Sequence, residues 1–286
     1  MRLYINKKNG RLLKNMNKTT QKKLEQSSAD DQQTSWKPVS EWYDSIVGEK
    51  GHYYHRELIL PNVLRTLHVQ SGDRLLDIGC GQGVLARAIP ENVEYVGVDI
   101  AKPLLTTASR YHKSRSRTFI HADLTHPWPL AKFPLFSHAA CILVLQNIDS
   151  PAVVFQELAN VLQDGGKAIF VLNHPYFRIP RQTRWNFDEK TKTQTREIFR
   201  YMTPQRIPII THPGKGPTTT WSFHVPLSEY TAMSHEAGFV IETIEEWCSP
   251  KHSTGGAAKA ENRARKEFPL FMAITFRLHK KSLSRE

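Results

Sequence analysis

From Asp73 onward, short apolar runs alternate with amphipathic stretches, and no two strand-like runs are joined by a two-residue turn. RLLDIG (74–79) reads as a strand, GVLARAI (83–89) as a short helix, VEYVGVDI (93–100) as a strand and KPLLTTASRYHK (102–113) as a helix. The series continues with strands in TFIHADL and HAACILVL, a helix in PAVVFQELANVLQDGG and a strand in KAIFVLN. Strands that alternate with helices can only lie side by side in parallel, because each crossover must travel the length of a strand before the next begins. The expectation is an α/β fold with a doubly wound, mainly parallel sheet.

After Asn173 the alternation breaks. A Pro-, Arg- and aromatic-rich stretch to His224 reads as a β-rich cap, LSEYTAMSHEAGF as a helix, and VIETIEEW and LFMAITFRL as closing strands. Upstream, residues 1–34 are rich in Lys, Asn, Gln and Ser without an apolar period and are expected to form a disordered basic tail. Residues 35–70 mix aromatic anchors such as Trp42 and Tyr43 with helical spacing, as a lid segment would. The main domain is expected over 71–280, with its cap at about 174–224, and 281–286 is a second basic tail. No stretch has the length or apolarity of a signal peptide or a membrane span, and the three cysteines form no CxxC or His/Cys cluster. A cytoplasmic protein without membrane, zinc or other metal sites is expected.

In LLDIGCGQG, Gly79, Gly81 and Gly83 follow a strand and open the next segment, where glycines permit a tight turn and close approach of a ligand to the backbone. Asp99 ends the next strand about 20 residues on, the place for a carboxylate that accepts from ribose hydroxyls. Singly, Asp77 reads equally as a helix cap, Asp99 as a turn residue and Asp123 as a solvated loop acid. Together they stand at successive strand ends on one edge of a parallel sheet, where ligands bind in such folds. The spacing G-x-G-x-G, in place of G-x-G-x-x-G, speaks against a nicotinamide enzyme.

These residues resemble the class I S-adenosylmethionine (SAM)-dependent methyltransferases, in the type 11-like group whose first motif reads D-x-G-C-G-x-G. The resemblance covers Asp73 to Leu172 and implies a Rossmann-like seven-stranded sheet with the cap inserted after the fifth strand. It implies SAM as cofactor, with Asp77 orienting its amino-acid end and the loop Gly79, Cys80, Gly81, Gly83 passing beside it. It further implies Asp99 and Ile100 at the ribose, and Asp123 flanked by Ala122 and Leu124 at the adenine. Leu143 to Gln146, in ILVLQNI, would border the methyl-transfer channel. In related enzymes the segment holding Tyr54 and His55 folds over SAM.

The acceptor is read from VLNHPYFRIP, which leaves the fifth strand with Asn173, His174 and Tyr176 as candidate catalytic residues. This is similar to the [DNS]-P-P-[YFW] signature of methyltransferases acting on amino groups of bases or on glutamine amides, with His174 where Pro is expected. The alternative is that Tyr176 and Phe177 anchor the first loop of the cap. The chain carries a formal charge of +12, and nine Lys/Arg against three acids fall between His174 and His224, among them Arg178, Arg184, Arg196 and Arg206. Arginines interleaved with Trp185, Phe199 and Trp221 suit phosphate contacts with base stacking, hence RNA and a nitrogen acceptor. They suit an anionic small-molecule acceptor as well, and a non-catalytic SAM-fold scaffold is a third reading. KAENRARKEFP (259–269) is expected as a basic loop at the same rim or, alternatively, a solvated helix face.

Overall fold

The structure, a computed structural model, describes residues 51–211 and 218–280. The tails read at 1–34 and 281–286, and Trp42 and Tyr43 of the lid, lie outside the described residues. A π-helical turn, His55–Ile59, runs into α1 (Leu60–Leu67), which ends at His68 in the left-handed conformation. Then follow β1 (Arg74–Ile78), β2 (Glu94–Asp99), α2 (Lys102–Tyr111), β3 (Arg117–His121), β4 (Phe136–Ile142), α3 (Pro151–Val161) and β5 (Leu162–Asn173). Two antiparallel hairpins come next, β6 (Thr183–Asp188) with β7 (Thr193–Ile198) and β8 (Gln205–Thr211) with β9 (Thr218–His224). The described chain closes with α4 (Leu227–Glu236), β10 (Phe239–Trp247), α5 (Ala258–Glu267) and β11 (Phe271–Leu278).

Seven strands form one sheet in the order β10-β11-β5-β4-β1-β2-β3. The five strands β1 to β5 are parallel, β11 returns antiparallel to β5, and β10 is antiparallel to β11. The chain first builds outward from β1 to β2 and β3, then crosses back to lay β4 on the other side of β1. At that reversal the flanking segments leave on opposite faces, which opens a crevice at the carboxyl ends of β1 and β4.

Alternate residues of each strand serve the two faces. Leu76, Ile78, Val96, Val98 and Cys141 join one core with Phe155 and Leu158 of α3, whereas Leu75, Tyr95, Ala140 and Ile169 join the other with Val63 and Leu67 of α1. Burial on both sides is why these strands read as continuous apolar runs.

Three local expectations need correction. GVLARAI forms consecutive turns over 81–89 and no regular helix. The six residues between the left-handed Gly83 and Pro90 close too few i to i−4 bonds to offset the cost of nucleation. The helix of PAVVFQELANVLQDGG stops at Val161, and Leu162 is already extended. The basic stretch from Lys259 is no loop but lies in α5, as its helix-face alternative has it, with Ala260 and Ala264 buried and Arg265 paired to Glu261. The cap is β-rich as expected, but is two separate hairpins. No described helix is long and apolar enough to cross a membrane.

Candidate active site

The glycine loop is held by a single carbonyl. Gly79 N and Cys80 N both donate to Val98 O of β2, at 2.8 and 3.0 Å, and Gly83 N donates back to Cys80 O at 2.9 Å. Gly79 has φ +73°, and a Cβ built on it would lie 2.3 Å from Cγ2 of Val144. Asp99 then ties the loop to the next element: Oδ2 accepts from Gly81 N at 2.9 Å and Oδ1 from Ala101 N, at the start of α2, at 2.8 Å. A carboxylate has about four acceptor positions, so capacity remains for a ligand. Asp77 is buried at the end of β1 and accepts at 2.6 Å from the hydroxyl of Tyr95 on β2.

The two carboxylates share a dry environment. Burial pushes the Asp77 carboxyl up to about 7, the Tyr95 hydroxyl pulls it down, and neighbouring Asp99 adds an upward push. Burial raises Asp99 as well, against the amides of Ala101, Gly81 and Ile100 that favour its anion. Among the described residues neither acid has a Lys, Arg or His within 4 Å. Asp77, Gly79, Gly81, Leu60 and Ile142 line a cleft with His55. Burial, with His52 adding to it, lowers the His55 imidazole to about 4, so it is neutral, and its Nδ1 is buried without a hydrogen-bond partner. Cys80 is also on this wall, its thiol pushed up by burial and by both acids.

The remaining donor-side residues divide. Asp123 follows β3 at the same edge, but its Oδ1 accepts from the Thr125 amide and hydroxyl, at 2.9 and 2.7 Å, in a local turn. Ala122 and Leu124 bury their side chains in the main core and do not line the cleft. Ile100 is half-buried, its carbonyl 3.1 Å from His121 Nε2. Tyr54 does not line the cleft: its hydroxyl is 3.3 Å from Ser249 Oγ and its ring meets Phe271 edge-on. Leu143 has φ +58°, a conformation that costs a side chain about 1–2 kcal/mol, and is pinned by its amide donating to Val171 O at 2.8 Å. The chain therefore turns sharply where Ile142 lines the donor cleft and Gln146 reaches a second one.

This second cleft has Gln146, Asn173, Arg178, Ser222, His224 and Tyr230 in its wall. His174 borders it, but with both nitrogens committed. Its Nδ1 accepts from the Tyr176 amide at 3.3 Å, which leaves Nε2 to donate to Glu246 Oε1 at 2.7 Å. Tyr176 stacks on Tyr201 at 4.2 Å, and Tyr201 accepts from the Leu227 amide. His174 and Tyr176 therefore fasten the turn after β5, for Tyr176 as the anchoring alternative has it, and His174 has no free ring nitrogen. Replacing His174 by Ala leaves a buried amide unsatisfied at a cost of about 1–3 kcal/mol, in addition to lost packing. A fall of roughly 5–10 °C in melting temperature is expected by calorimetry, with affinity for S-adenosylhomocysteine kept. An unchanged melting temperature with lost turnover would instead place His174 in the chemistry.

Residues 76–170 match the family described as a methyltransferase domain. The matched segment is a methyltransferase domain on a Rossmann-like fold. This domain is 27% identical over 134 residues to the ubiquinone biosynthesis O-methyltransferase of Alkalilimnicola ehrlichii, covering 46% of this chain and 54% of that protein. It is 26% identical over 156 residues to the demethylmenaquinone methyltransferase of Anoxybacillus flavithermus, covering 51% and 63%. The chain thus spans little more than half the length of the curated relatives it matches. Among solved structures, a SAM-dependent methyltransferase from Mesorhizobium loti superposes with a TM-score of 0.59 at 24% identity, over 78% of this chain and 99% of that one.

The methyltransferase domain's donor cleft fits SAM by the chemistry of its groups. Two buried acids without a described cation suit an ammonium and a ribose diol, and the orphaned His55 nitrogen suits a further polar group of the ligand. Two contributors escaped sequence reading. Tyr95 is a hydroxyl in an otherwise apolar strand, which must find a partner when buried. Gly97 sits mid-strand because a Cβ there would lie 2.7 Å from Cys80 Sγ, and a glycine inside a strand is the signal of such a close approach.

Proposed function

We propose that the protein methylates a small-molecule acceptor, with SAM as donor, and that the acceptor lies in the second cleft. The observation that carries this reading is how near the two clefts lie along the chain: Ile142 lines the donor cleft, and Gln146, beyond the turn at Leu143, lines the second. SAM supplies a methyl group already activated on a sulfonium sulfur. The protein's task is then to hold two partners in line and keep water out. Asp77, Asp99 and the glycine loop hold the donor. The fixed turn at Leu143 sets the boundary between donor and acceptor, and strand β9, through Ser222 to His224, walls the acceptor from solvent. Gln146 Oε1, buried and unpartnered among the described residues, is available to a nucleophile that carries a hydrogen. The quinone-pathway names of the curated relatives support an acceptor of this size.

RNA is the second reading, favoured by one observation. Trp185 (42% exposed) and Phe199 (53% exposed) carry Arg196 and Arg184 over their rings, at 5.0 and 5.1 Å, at the β6–β7 hairpin. Incubation with methyl-labelled SAM and separated metabolite and RNA pools distinguishes the two. Label in the metabolite pool is expected. Label in RNA, with binding that falls steeply as salt rises, would reverse the choice. Calorimetry with S-adenosylhomocysteine tests the donor site independently: Asp99→Asn is expected to weaken binding about tenfold or more, and wild-type affinity in that variant would remove Asp99 from the site.

A further inference from the structure

We propose that the second cleft is built for an acceptor bearing a carboxylate or phosphate, and that Arg178 binds that anionic group. This inference rests on the small-molecule reading above. Arg178 leaves the turn after β5, with its amide donating to His174 O at 2.9 Å, and contributes to the cleft wall. Its guanidinium lies 5.1 Å from the centre of the Phe271 ring, and among the described residues its side chain makes one hydrogen bond, Nη1 to Leu270 O at 3.4 Å. No described carboxylate lies within 4 Å of it.

Neighbouring arginines of the cap are engaged otherwise. Arg184 pairs with Glu197, Arg196 donates to Phe177 O and the Thr183 hydroxyl, and Arg206 lies over Trp221 at 4.0 Å. Burial lowers the Arg178 pKa, as expected for a cation that surrenders water without gaining a counter-charge. A guanidinium so placed has most of its five donors unspent, and its planar fork matches two oxygens of a carboxylate or phosphate. The rest of the cleft complements that fork. Leu172, Ile179, Phe223, Val225 and Tyr230 give an apolar body, and the Gln146 carboxamide, four residues past Ile142 of the donor cleft, is a polar terminus. The acceptor that fits has an anionic group at one end, an apolar or planar middle, and the nucleophile near Gln146.

The test uses the full chain saturated with S-adenosylhomocysteine, and titration with benzoate, phenyl phosphate and the neutral isostere benzamide. At least one anion is expected to bind about tenfold or more tightly than benzamide, and the stronger of the two tells carboxylate from phosphate. Arg178→Gln is expected to erase that preference, and Arg178→Lys, which keeps the charge and the folded packing, to retain part of it. Affinity for S-adenosylhomocysteine should be equal in all three proteins. Failure of both anions to bind, equal binding of benzamide, or an anion preference that survives in Arg178→Gln would overturn the proposal. Failure of S-adenosylhomocysteine to bind the wild type would instead overturn the methyltransferase reading beneath it.

Discussion

Gly79→Ala should lower the melting temperature by roughly 5–15 °C and weaken SAM binding at least tenfold. Two costs combine. A side chain at φ +73° costs about 1–2 kcal/mol, and a methyl group 2.3 Å from Val144 Cγ2 forces a shift in packed surroundings, at about 1–3 kcal/mol. The loop has little room to yield, because the amides of residues 79 and 80 share the Val98 carbonyl and Asp99 holds the amide of Gly81. The double variant Gly79→Ala/Val144→Ala separates the terms: truncating Val144 removes the clash and leaves the backbone strain, so roughly half of the lost stability should return. Scanning calorimetry and SAM titration read both effects. A Gly79→Ala protein that melts and binds like the wild type would mean that the loop is not held as described.

A second large effect is expected in pH. The folded pKa of Asp77, about 7, lies above its ordinary value of 3.8, so the ligand-free protein keeps a proton that the unfolded chain has given up. Stability attributable to this group is therefore greatest below about pH 4, falls as pH rises towards 7 and levels off above. SAM binding should run the other way. If Asp77 meets the ammonium of SAM, its anion is required, and affinity should fall about tenfold for each pH unit below 7. Asp77→Asn should flatten both profiles, and Tyr95→Phe, which removes a donor that favours the anion, should move both upward. A SAM affinity constant from pH 5 to 8 in the wild type would refute this role for Asp77.

The donor side was the more legible half of the site for a physical reason. Its features are backbone requirements, and such requirements leave a mark in sequence: glycines where φ is positive, an acid at the end of a buried strand, apolar runs where both faces of a sheet are covered. Asp77, Asp99 and the loop between them were readable on those grounds. Asp123 shows the limit, because a turn acid and a ligand acid use the same residue type, and here the Thr125 amide takes one oxygen. Acceptor-side residues were harder, since their roles are set by distant elements. Nothing in NHPYF announces that His174 will meet Glu246 of β10, 72 positions on, or that Tyr176 will stack on Tyr201. The charge of KAENRARKEFP drew attention to a rim loop, whereas two small alanines spaced four apart were the better guide to a packed helix.

The antiparallel return of β11 has a consequence for how the molecule is made. Asn173 is in register with Phe271, the His174 amide is bonded to Leu270, and Phe271 carries the Arg178 guanidinium. A nascent polypeptide released only as far as α5 already owns every residue of the nucleoside-holding half, yet its other half has no surface to settle against. The second cleft therefore gains its β11 support only after every residue of the first has been synthesised, and it is expected to take shape last.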